Sequence, residues 1–265
     1  MSEDDRVTLR QIFDEDAELY DRARPAYPPE LFDALAELAG IGPGRRVLEI
    51  GCGTGQATLP LAERGCEIVA VELGPAMARV ARRNLAAFPS AEVVTAAFED
   101  WPLPERPFDA VVSATAFHWI DPAVRVAKSA AALRPGGALA TIATHHVAGG
   151  TADFFAAVQD CYERFDPATP PGLRPSAAAD IPHDGAEIDA SDRFGPAAFH
   201  RCEWDVPYTT AQYVDVLNTY SGHRALPPDD RAGLLDCVTA LIDGRHGGHI
   251  VKRYMAELRV ARRVA

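Results

Sequence analysis

The segment VLEIGCGTGQA, residues 47–57, combines residue types that can hold a small ligand through the main chain. Glycines stand at positions 51, 53 and 55, after an apolar run that carries Glu49. Glycine lets the backbone approach a bound group closely, and a carboxylate can accept hydrogen bonds from a ligand ammonium, directly or through water. The segment therefore predicts a ligand-binding loop.

Two common nucleotide loops fit this segment poorly. A phosphate-binding P-loop needs a lysine after its last glycine, and none stands there. A dinucleotide loop needs GxGxxG, but Gln56 occupies the place of the third glycine and Gly55 comes one residue early. Glu72, an acid at the end of the second apolar run, could accept both ribose hydroxyls of either kind of adenosine ligand.

Alternating strand and helix patterns must position these residues. Five apolar runs predict buried parallel strands, at 45–51, 67–72, 91–97, 108–114 and 137–144, and helical patterns fall between several of them. One helix is predicted within 121–137, opened by Asp121 as N-cap and closed by Pro135 and two glycines. Further helices are predicted at 151–165, 210–221 and 228–245, and two more strands begin at 199 and 249. The alternation predicts an α/β fold.

Four motifs in register resemble those of the class I S-adenosylmethionine-dependent methyltransferases. They are the glycine loop after the first strand, the acid ending the second strand, TAAFEDWPLPERPFDAVVSATAFHWID (95–121) and LRPGGALA (133–140). The resemblance covers most of residues 12–146. It implies a Rossmann-like, seven-stranded, mostly parallel sheet with helices on both faces, and S-adenosylmethionine as the cofactor.

The resemblance also implies four consecutive segments and a set of cofactor contacts. The segments are an N-terminal helical lid (1–40), the cofactor-binding core (41–146), a helix plus irregular cap inserted after the fifth strand (147–198) and the C-terminal part of the sheet (199–265). The implied cofactor-binding residues are Tyr20, Arg24, Glu49, Gly51, Gly53, Gln56, Glu72, Leu73, Phe98, Glu99 and Ser113. Tyr20 and Arg24 match lid positions that close over the methionine moiety.

The adenine contact departs from the family pattern. Ala97 stands where many members carry an Asp that hydrogen-bonds the adenine amine. We therefore expect adenine to rest on the backbone of Phe98, with Glu99 as a substitute acceptor and Leu73 as an apolar face.

The methyl acceptor is expected near SATAFHWID, residues 113–121, at the end of the fourth strand. Amino-methylating enzymes of nucleic acids carry [DNS]PP[YFW] there, and both prolines are missing. His118 either deprotonates the acceptor or packs the turn beneath the cofactor, because its pKa lies near working pH but its ring can also bond locally. Phe117 and Trp119 are predicted walls, and His145 and His146 are predicted to border the substrate.

The amino-acid composition restricts the classes of binding partner and the cellular location that we expect. The formal net charge of −12 argues against nucleic acid and against an anionic membrane surface. No apolar run has the length of a membrane span, and the acidic N-terminus is unlike a signal peptide. Five widely spaced cysteines without a CxxC pair predict reduced thiols, no metal site and a cytoplasmic location.

These observations predict a methyltransferase that acts on a small molecule. O-methylation of an acid or hydroxyl is the first hypothesis, with N- or C-methylation open. The alternatives are an NAD(P)-dependent oxidoreductase, which Gln56 and the lack of a recognisable catalytic Tyr-Lys pair disfavour, and a cofactor-binding protein without transfer activity.

Overall fold

The computed structural model describes residues 3–264 of this 265-residue chain. Its strands are β1 (Arg46–Ile50), β2 (Glu67–Glu72), β3 (Ala91–Thr95), β4 (Phe108–Ala114), β5 (Leu133–His146), β6 (Ala198–Thr209) and β7 (His249–Arg262). Its helices are α1 (Glu3–Ile12), α2 (Ala17–Ala23), α3 (Pro29–Ala39), α4 (Thr58–Glu63), α5 (Pro75–Asn84), α6 (Pro122–Ala132), α7 (Ala152–Ala157), α8 (Gln159–Phe165), α9 (Ala186–Asp189), α10 (Thr210–Leu217), α11 (Ser221–Arg224) and α12 (Pro228–His246). Short 3₁₀ turns lie at Phe13–Asp16, Phe117–Trp119 and Ala178–Asp180.

The seven strands form one sheet in the order β3-β2-β1-β4-β5-β7-β6. β1 pairs in parallel with both β2 and β4, and the pairs β2–β3 and β4–β5 are also parallel. From β1 the strands are added on one side as far as β3, and the chain then returns to add β4 and β5 on the other side of β1. In open α/β sheets, ligands bind at the carboxyl ends of the strands where the strand order reverses in this way. The predicted Rossmann-like α/β fold with seven strands is confirmed.

The core strands form because their apolar runs can be buried on both faces. Val47 and Leu48 of β1 are fully buried, as are Val111 and Val112 of β4. Each such side chain contributes about 1.5–3 kcal/mol relative to an exposed position. The strands that carry the glycine loop and the turn after β4 are therefore anchored in the core of the sheet.

The helix predicted within 121–137 runs over Pro122–Ala132. Asp121 caps it as expected, with its Oδ1 accepting from the Ala123 N–H at 2.8 Å. The helix ends at Ala132, and Leu133 already has extended backbone angles that begin β5. Pro135 closes the helix as expected, and the helix stops short of Arg134 because a proline disfavours helical angles at the residue before it.

Two other predicted helices differ from the structure. The segment 151–165 is divided into α7 and α8, and the helix predicted at 210–221 ends at Leu217 before the separate α11. The expected strands at the C-terminal end are present as β6 and β7. The Pro-rich segment 166–196 contains only a 3₁₀ turn and the single-turn helix α9.

Contacts group the described residues into two compact units, each built from separated stretches of chain. Unit 1 comprises the residues up to Pro25 together with His145–Pro182 and Glu203–Met255. Unit 2 comprises Ala26–Thr144, His183–Cys202 and the residues from Ala256 onward. β5, β6 and β7 contribute residues to both units. The four consecutive segments expected from the sequence remain a prediction.

The expectation that all five cysteines are reduced was wrong. Cys161 of α8 and Cys237 of α12 form a disulfide within unit 1, although 76 residues separate them. Sequence spacing missed this bond because the packing of α8 against α12 brings their Cα atoms to 5.8 Å. Cys52, Cys66 and Cys202 are buried thiols. Across residues 3–264, no helix combines the length and apolarity that a membrane crossing requires.

Candidate functional site

The glycine loop after β1 is held in a conformation that requires glycine. Gly51 has a φ of +69°, and its N–H donates to the carbonyl of Val71 at 2.8 Å. A Cβ at this position would lie 2.5 Å from the Cβ of Ala116. Since non-bonded carbon atoms do not approach so closely, the loop can pack against the turn after β4 only if residue 51 has no side chain.

Glu72 ties the loop to the end of β2. Its Oε2 accepts from the Gly53 N–H and its Oε1 from the Gly74 N–H, both at 2.8 Å. The carboxylate therefore fixes the position of the second glycine of the loop and of the start of α5. Its predicted contact with the ribose hydroxyls stays a prediction.

Glu49 is a buried carboxylate with an unsatisfied oxygen. Only 1% of the residue is exposed, and its Oε2 has no hydrogen-bond partner within residues 3–264. Burial is the main cause that raises the pKa of Glu49 to about 8; the Thr58 hydroxyl opposes this rise and the nearby Glu72 charge adds to it. A buried acceptor without a donor is costly, and a ligand ammonium would satisfy it. This feature fits the methionine end of S-adenosylmethionine.

Two of the predicted adenine residues, Phe98 and Glu99, lie on a compact turn after β3, and the third, Leu73, follows β2. Phe98 is buried in the same apolar cluster as Ile50 and Val71, the residues near the ends of β1 and β2. The Glu99 Oε1 accepts from the Asp121 N–H at 3.3 Å, so this side chain also connects the turn to the start of α6. Leu73 and Gln56 are half-buried.

Ser113 acts within the sheet in this structure. It is fully buried at the end of β4, and its hydroxyl donates to the carbonyl of Ile50 at 3.0 Å. The bond connects β4 to β1 at the point where the two strands diverge. A direct cofactor contact by Ser113 therefore remains a prediction from the resemblance.

A chain of hydroxyl groups follows β4 in unit 2. Thr115 has a φ of +53°, a strained angle for a β-branched residue. Its hydroxyl is 2.7 Å from the Tyr27 hydroxyl and 3.1 Å from that of Thr144. The turn that packs on Gly51 is thus held by side-chain hydrogen bonds from two other elements. Thr115 lies within the predicted acceptor segment 113–121, but nothing in the sequence singled out its hydroxyl or that of Tyr27.

A polar cavity of about 210 Å³ lies beside this turn, and all its lining residues belong to unit 2. His118 is exposed into it, and partial desolvation together with the Arg125 charge lowers the pKa of the imidazole. The ring lies 4.7 Å from that of Trp119, centroid to centroid. A neutral imidazole in a cavity can accept a proton, so the geometry permits the base role and does not require it.

Two arginines in the cavity wall were missed by the sequence analysis. The Arg125 Nε donates to Glu187 at 2.6 Å and its Nη1 to the Phe117 carbonyl at 3.2 Å. Arg259 donates to the Thr141 hydroxyl at 3.0 Å and also to the Asp184 carbonyl. Phe117 itself is buried, and the Arg125 Cζ lies 5.3 Å from the centroid of its ring. These pairs cross long stretches of sequence, so residue spacing gave no signal for them.

Tyr20 and Arg24 form a stacked pair within unit 1. The Arg24 guanidinium lies 4.8 Å from the Tyr20 ring centroid and 4.6 Å from that of Tyr220. Its Nη2 donates to the Thr219 carbonyl at 2.9 Å. Their predicted role over the methionine moiety stays a prediction.

His145 and His146 line a second cavity, of about 380 Å³, whose lining residues all belong to unit 1. The His146 ring packs 5.5 Å from both Tyr220 and Tyr254. Lys252 is buried in the same wall and was missed by the sequence analysis. A signal existed, because Lys252 interrupts the period-two apolar face of β7 between Ile250 and Tyr254.

Comparison with known proteins identifies the central part of the chain. Residues 47–137 match a family described as a methyltransferase domain. An uncharacterised methyltransferase of Mycobacterium tuberculosis (strain ATCC 25618 / H37Rv) is 44% identical over 123 residues, which are 46% of this chain and 48% of that protein. The chain therefore spans about half the length of the curated relatives it matches.

Two further relatives agree with this match. A malonyl-[acyl-carrier protein] O-methyltransferase of Geobacter sulfurreducens is 36% identical over 121 residues, covering 44% of this chain and 45% of its own. The solved structure of a candidate type II methyltransferase from Anaeromyxobacter dehalogenans superposes with a TM-score of 0.60 and 24% identity, over 90% of this chain and 97% of that one. At 24% identity, the similarity to this solved structure shows a shared fold.

Proposed function

This chain carries a class I S-adenosylmethionine-dependent methyltransferase domain, and we propose that it transfers a methyl group from that cofactor to a small molecule. The observation that carries the proposal is the buried carboxylate of Glu49, whose Oε2 lacks a donor at the base of the glycine loop. A dinucleotide presents a pyrophosphate to such a loop, and its negative charge would raise the pKa of Glu49 still more. A methionine ammonium would be attracted to the same oxygen.

Bound S-adenosylmethionine supplies a methyl group already activated by its sulfonium. The residues of this chain then have to bind and orient. Gly51 keeps the backbone clear of side chains, Glu49 accepts the ammonium, and Glu72 holds the loop through Gly53. Holding two reactants in the right orientation can account for about 7–11 kcal/mol of a barrier, so no strong acid or covalent nucleophile is needed.

O-methylation of a small acceptor is the form of transfer that we propose. The cavity of about 210 Å³ beside the glycine-loop turn suits a small molecule. His118 is its candidate base, because the lowered pKa keeps the imidazole neutral and able to take a proton from a hydroxyl. Phe117 and Trp119 are its proposed walls. The substrate contact expected of His145 and His146, which line the cavity of unit 1, stays a prediction.

Calorimetry with S-adenosylmethionine and with NAD tests the cofactor. We expect binding of S-adenosylmethionine only, and tight NAD binding without it would favour the oxidoreductase alternative. Release of S-adenosylhomocysteine in the presence of a metabolite pool tests transfer. Cofactor binding with no release, across chemically diverse acceptors, would favour a protein that binds without transferring.

Replacement of His118 by Ala tests the base. We expect turnover to fall by about tenfold or more, with cofactor affinity unchanged, because general bases contribute about 10²–10⁴ in rate. His249→Ala is the matched control, since His249 is an exposed histidine of unit 1. Equal rates for both variants and the parent would remove His118 from the mechanism.

A small-molecule partner and a cytoplasmic location complete the proposal. The net charge of −12 supports the first, because nucleic-acid binding needs clustered cations. The disulfide between Cys161 and Cys237 counts against the second, since cytosolic thiols are kept reduced. Alkylation of thiols in intact cells before lysis would show whether that bond exists where the protein resides.

A further inference from the structure

Lys252 is a buried cation in the middle of β7, within unit 1. Only 5% of the residue is exposed, and the chain contains just one other lysine, Lys128. No carboxylate of residues 3–264 forms an ion pair with its ammonium. Buried charges are normally paired, because an isolated ammonium loses its hydration without compensation. Lys252 therefore needs an explanation that the fold alone does not provide.

Aromatic rings surround this ammonium. Its Nζ lies 5.3–5.8 Å from the ring centroids of Phe155, Tyr213, Tyr220 and Tyr254. A hydrogen bond with Tyr220 raises the pKa of Lys252 somewhat, against the larger lowering caused by burial. All four rings are neutral, so they stabilise a cation without cancelling its charge.

The other charged groups near Lys252 are mostly positive. Desolvation comes first in lowering the pKa of His146 well below its usual value, and the Lys252 and Arg24 charges add to it, followed by His223 and His145. One carboxylate, Asp166, lies close enough to His223 to raise its pKa slightly. Asp166 already accepts hydrogen bonds from the Ala168 N–H and the Thr169 hydroxyl. The lowered pKa values of His146 and His223 favour neutral imidazoles, so the excess of positive charge in this region comes from Lys252 and Arg24.

Lys252 is one of the residues that line the cavity of about 380 Å³. This cavity is lined by fifteen residues, all in the described part of unit 1, and none of them is acidic. Gln159 gives a second, independent sign of a ligand, because it is 8% exposed and its Oε1 has no hydrogen-bond partner within residues 3–264, which leaves an acceptor for a donor group on the ligand's uncharged part. Val147, Phe155 and Val158 form an apolar part of the wall.

We propose that unit 1 contains a binding site for a small organic carboxylate, with Lys252 as its counter-charge and the apolar wall around its hydrocarbon body. Inorganic phosphate fits less well, because it would leave that wall uncovered. The site goes beyond the proposed function, since binding within unit 1 needs no methyl transfer.

A pair of probes that differ in charge and hardly in shape tests the site. We expect calorimetry on the full chain to show cinnamate binding about tenfold or more tightly than cinnamamide, because only the former brings a negative charge to Lys252. The comparison uses the unaltered protein, so it does not depend on whether a variant folds. Equal affinities, or no binding of cinnamate, would overturn the proposal.

The variant Lys252→Met tests whether Lys252 causes the preference for the charged probe. The unbranched apolar side chain fits among aromatic rings, and removal of a buried charge is not expected to weaken the fold. We expect cinnamate and cinnamamide to bind this variant with affinities within about threefold of each other. Arg245→Met is the matched control, because it removes an exposed cation of unit 1 and should leave the preference intact.

Three results would contradict the assignment. A charge preference that survives in Lys252→Met would place the anion elsewhere. Displacement of cinnamate by an equal concentration of inorganic phosphate would make this a phosphate site. Weaker S-adenosylmethionine binding by Lys252→Met would mean that Lys252 serves the cofactor's own carboxylate.

Discussion

Glu49 in unit 2 and Lys252 in unit 1 are buried charges of opposite sign, and neither has an opposite charge beside it in the described part of the chain. They are 1% and 5% exposed. Burial shifts both toward the neutral form, raising the pKa of Glu49 to about 8 and lowering the pKa of Lys252. Each indicates a ligand group of the opposite charge, an ammonium for Glu49 and a carboxylate for Lys252.

The two sites are built differently. In unit 2 the backbone of the glycine loop forms the site, so a few adjacent residues determine its shape. In unit 1 the cavity depends on side chains from β7, α7, α8 and α10, which are far apart in the sequence. A backbone-built site should be destroyed by one added methyl group, whereas a side-chain-built site should respond to changes in the packing between its helices.

The largest expected effect concerns the loop. Gly51→Ala places a Cβ 2.5 Å from that of Ala116 at a φ of +69°. Strain and overpacking together should cost about 4 kcal/mol, which is close to a thousandfold in S-adenosylmethionine affinity by calorimetry. Gly42→Ala is the control, because nothing lies within 4 Å of the added atom. Unchanged affinity in Gly51→Ala would refute a backbone-built site.

The next effect should be confined to unit 1. Reduction of Cys161–Cys237 releases a closed loop of 76 residues and should lower the free energy of unfolding by about 3 kcal/mol, measured by denaturant titration. Cinnamate affinity should also fall, since α8 carries Gln159 and Tyr162 of the cavity wall. Cofactor affinity should not change. The double variant Cys161→Ser/Cys237→Ser should show no response to reductant, and any response would point to another target.

Glu49 should make stability depend on pH. The folded chain holds this proton to higher pH than the unfolded chain, whose pKa is near 4.5, because burial raises the folded pKa to about 8. The stabilisation is therefore fully present below pH 4.5 and is lost as pH rises through 8. Between about pH 6 and pH 8, the free energy of unfolding should fall by about 2 kcal/mol more in the parent than in Glu49→Gln. Parallel pH profiles would contradict a buried, ionisable Glu49.

The smallest effect concerns the hydroxyl chain. Tyr27→Phe removes the partner 2.7 Å from the Thr115 hydroxyl and should cost about 1 kcal/mol of stability, together with a modest loss of kcat/KM. Tyr208→Phe is the matched control in unit 1, where the hydroxyl bonds that of Tyr254 at 3.0 Å. It should cost similar stability and leave transfer unaffected. Equal losses of kcat/KM in Tyr27→Phe and Tyr208→Phe would mean that the Tyr27–Thr115 hydrogen bond does not contribute specifically to methyl transfer.

The sequence predicted what depends on neighbouring residues. The strands of the core, the cap at Asp121 and the glycine loop with Glu49 follow from local patterns, because period, capping and φ preferences act over a few residues. Thr115, Arg125 and the Cys161–Cys237 bond depend on contacts between distant segments, which no spacing rule describes. Lys252 lies between these cases. Its position in an apolar face was visible, but its significance depends on rings and a cavity supplied by other elements.

The chain crosses between the two units five times, after Pro25, Thr144, Pro182, Cys202 and Met255. No single cut can therefore release either unit as a continuous polypeptide. Recombination between genes at one breakpoint would exchange only fragments of a unit, so unit 1 cannot be replaced as a module. New ligand preferences in this architecture have to arise by point substitutions, and the residues around Lys252 are where such substitutions would alter binding.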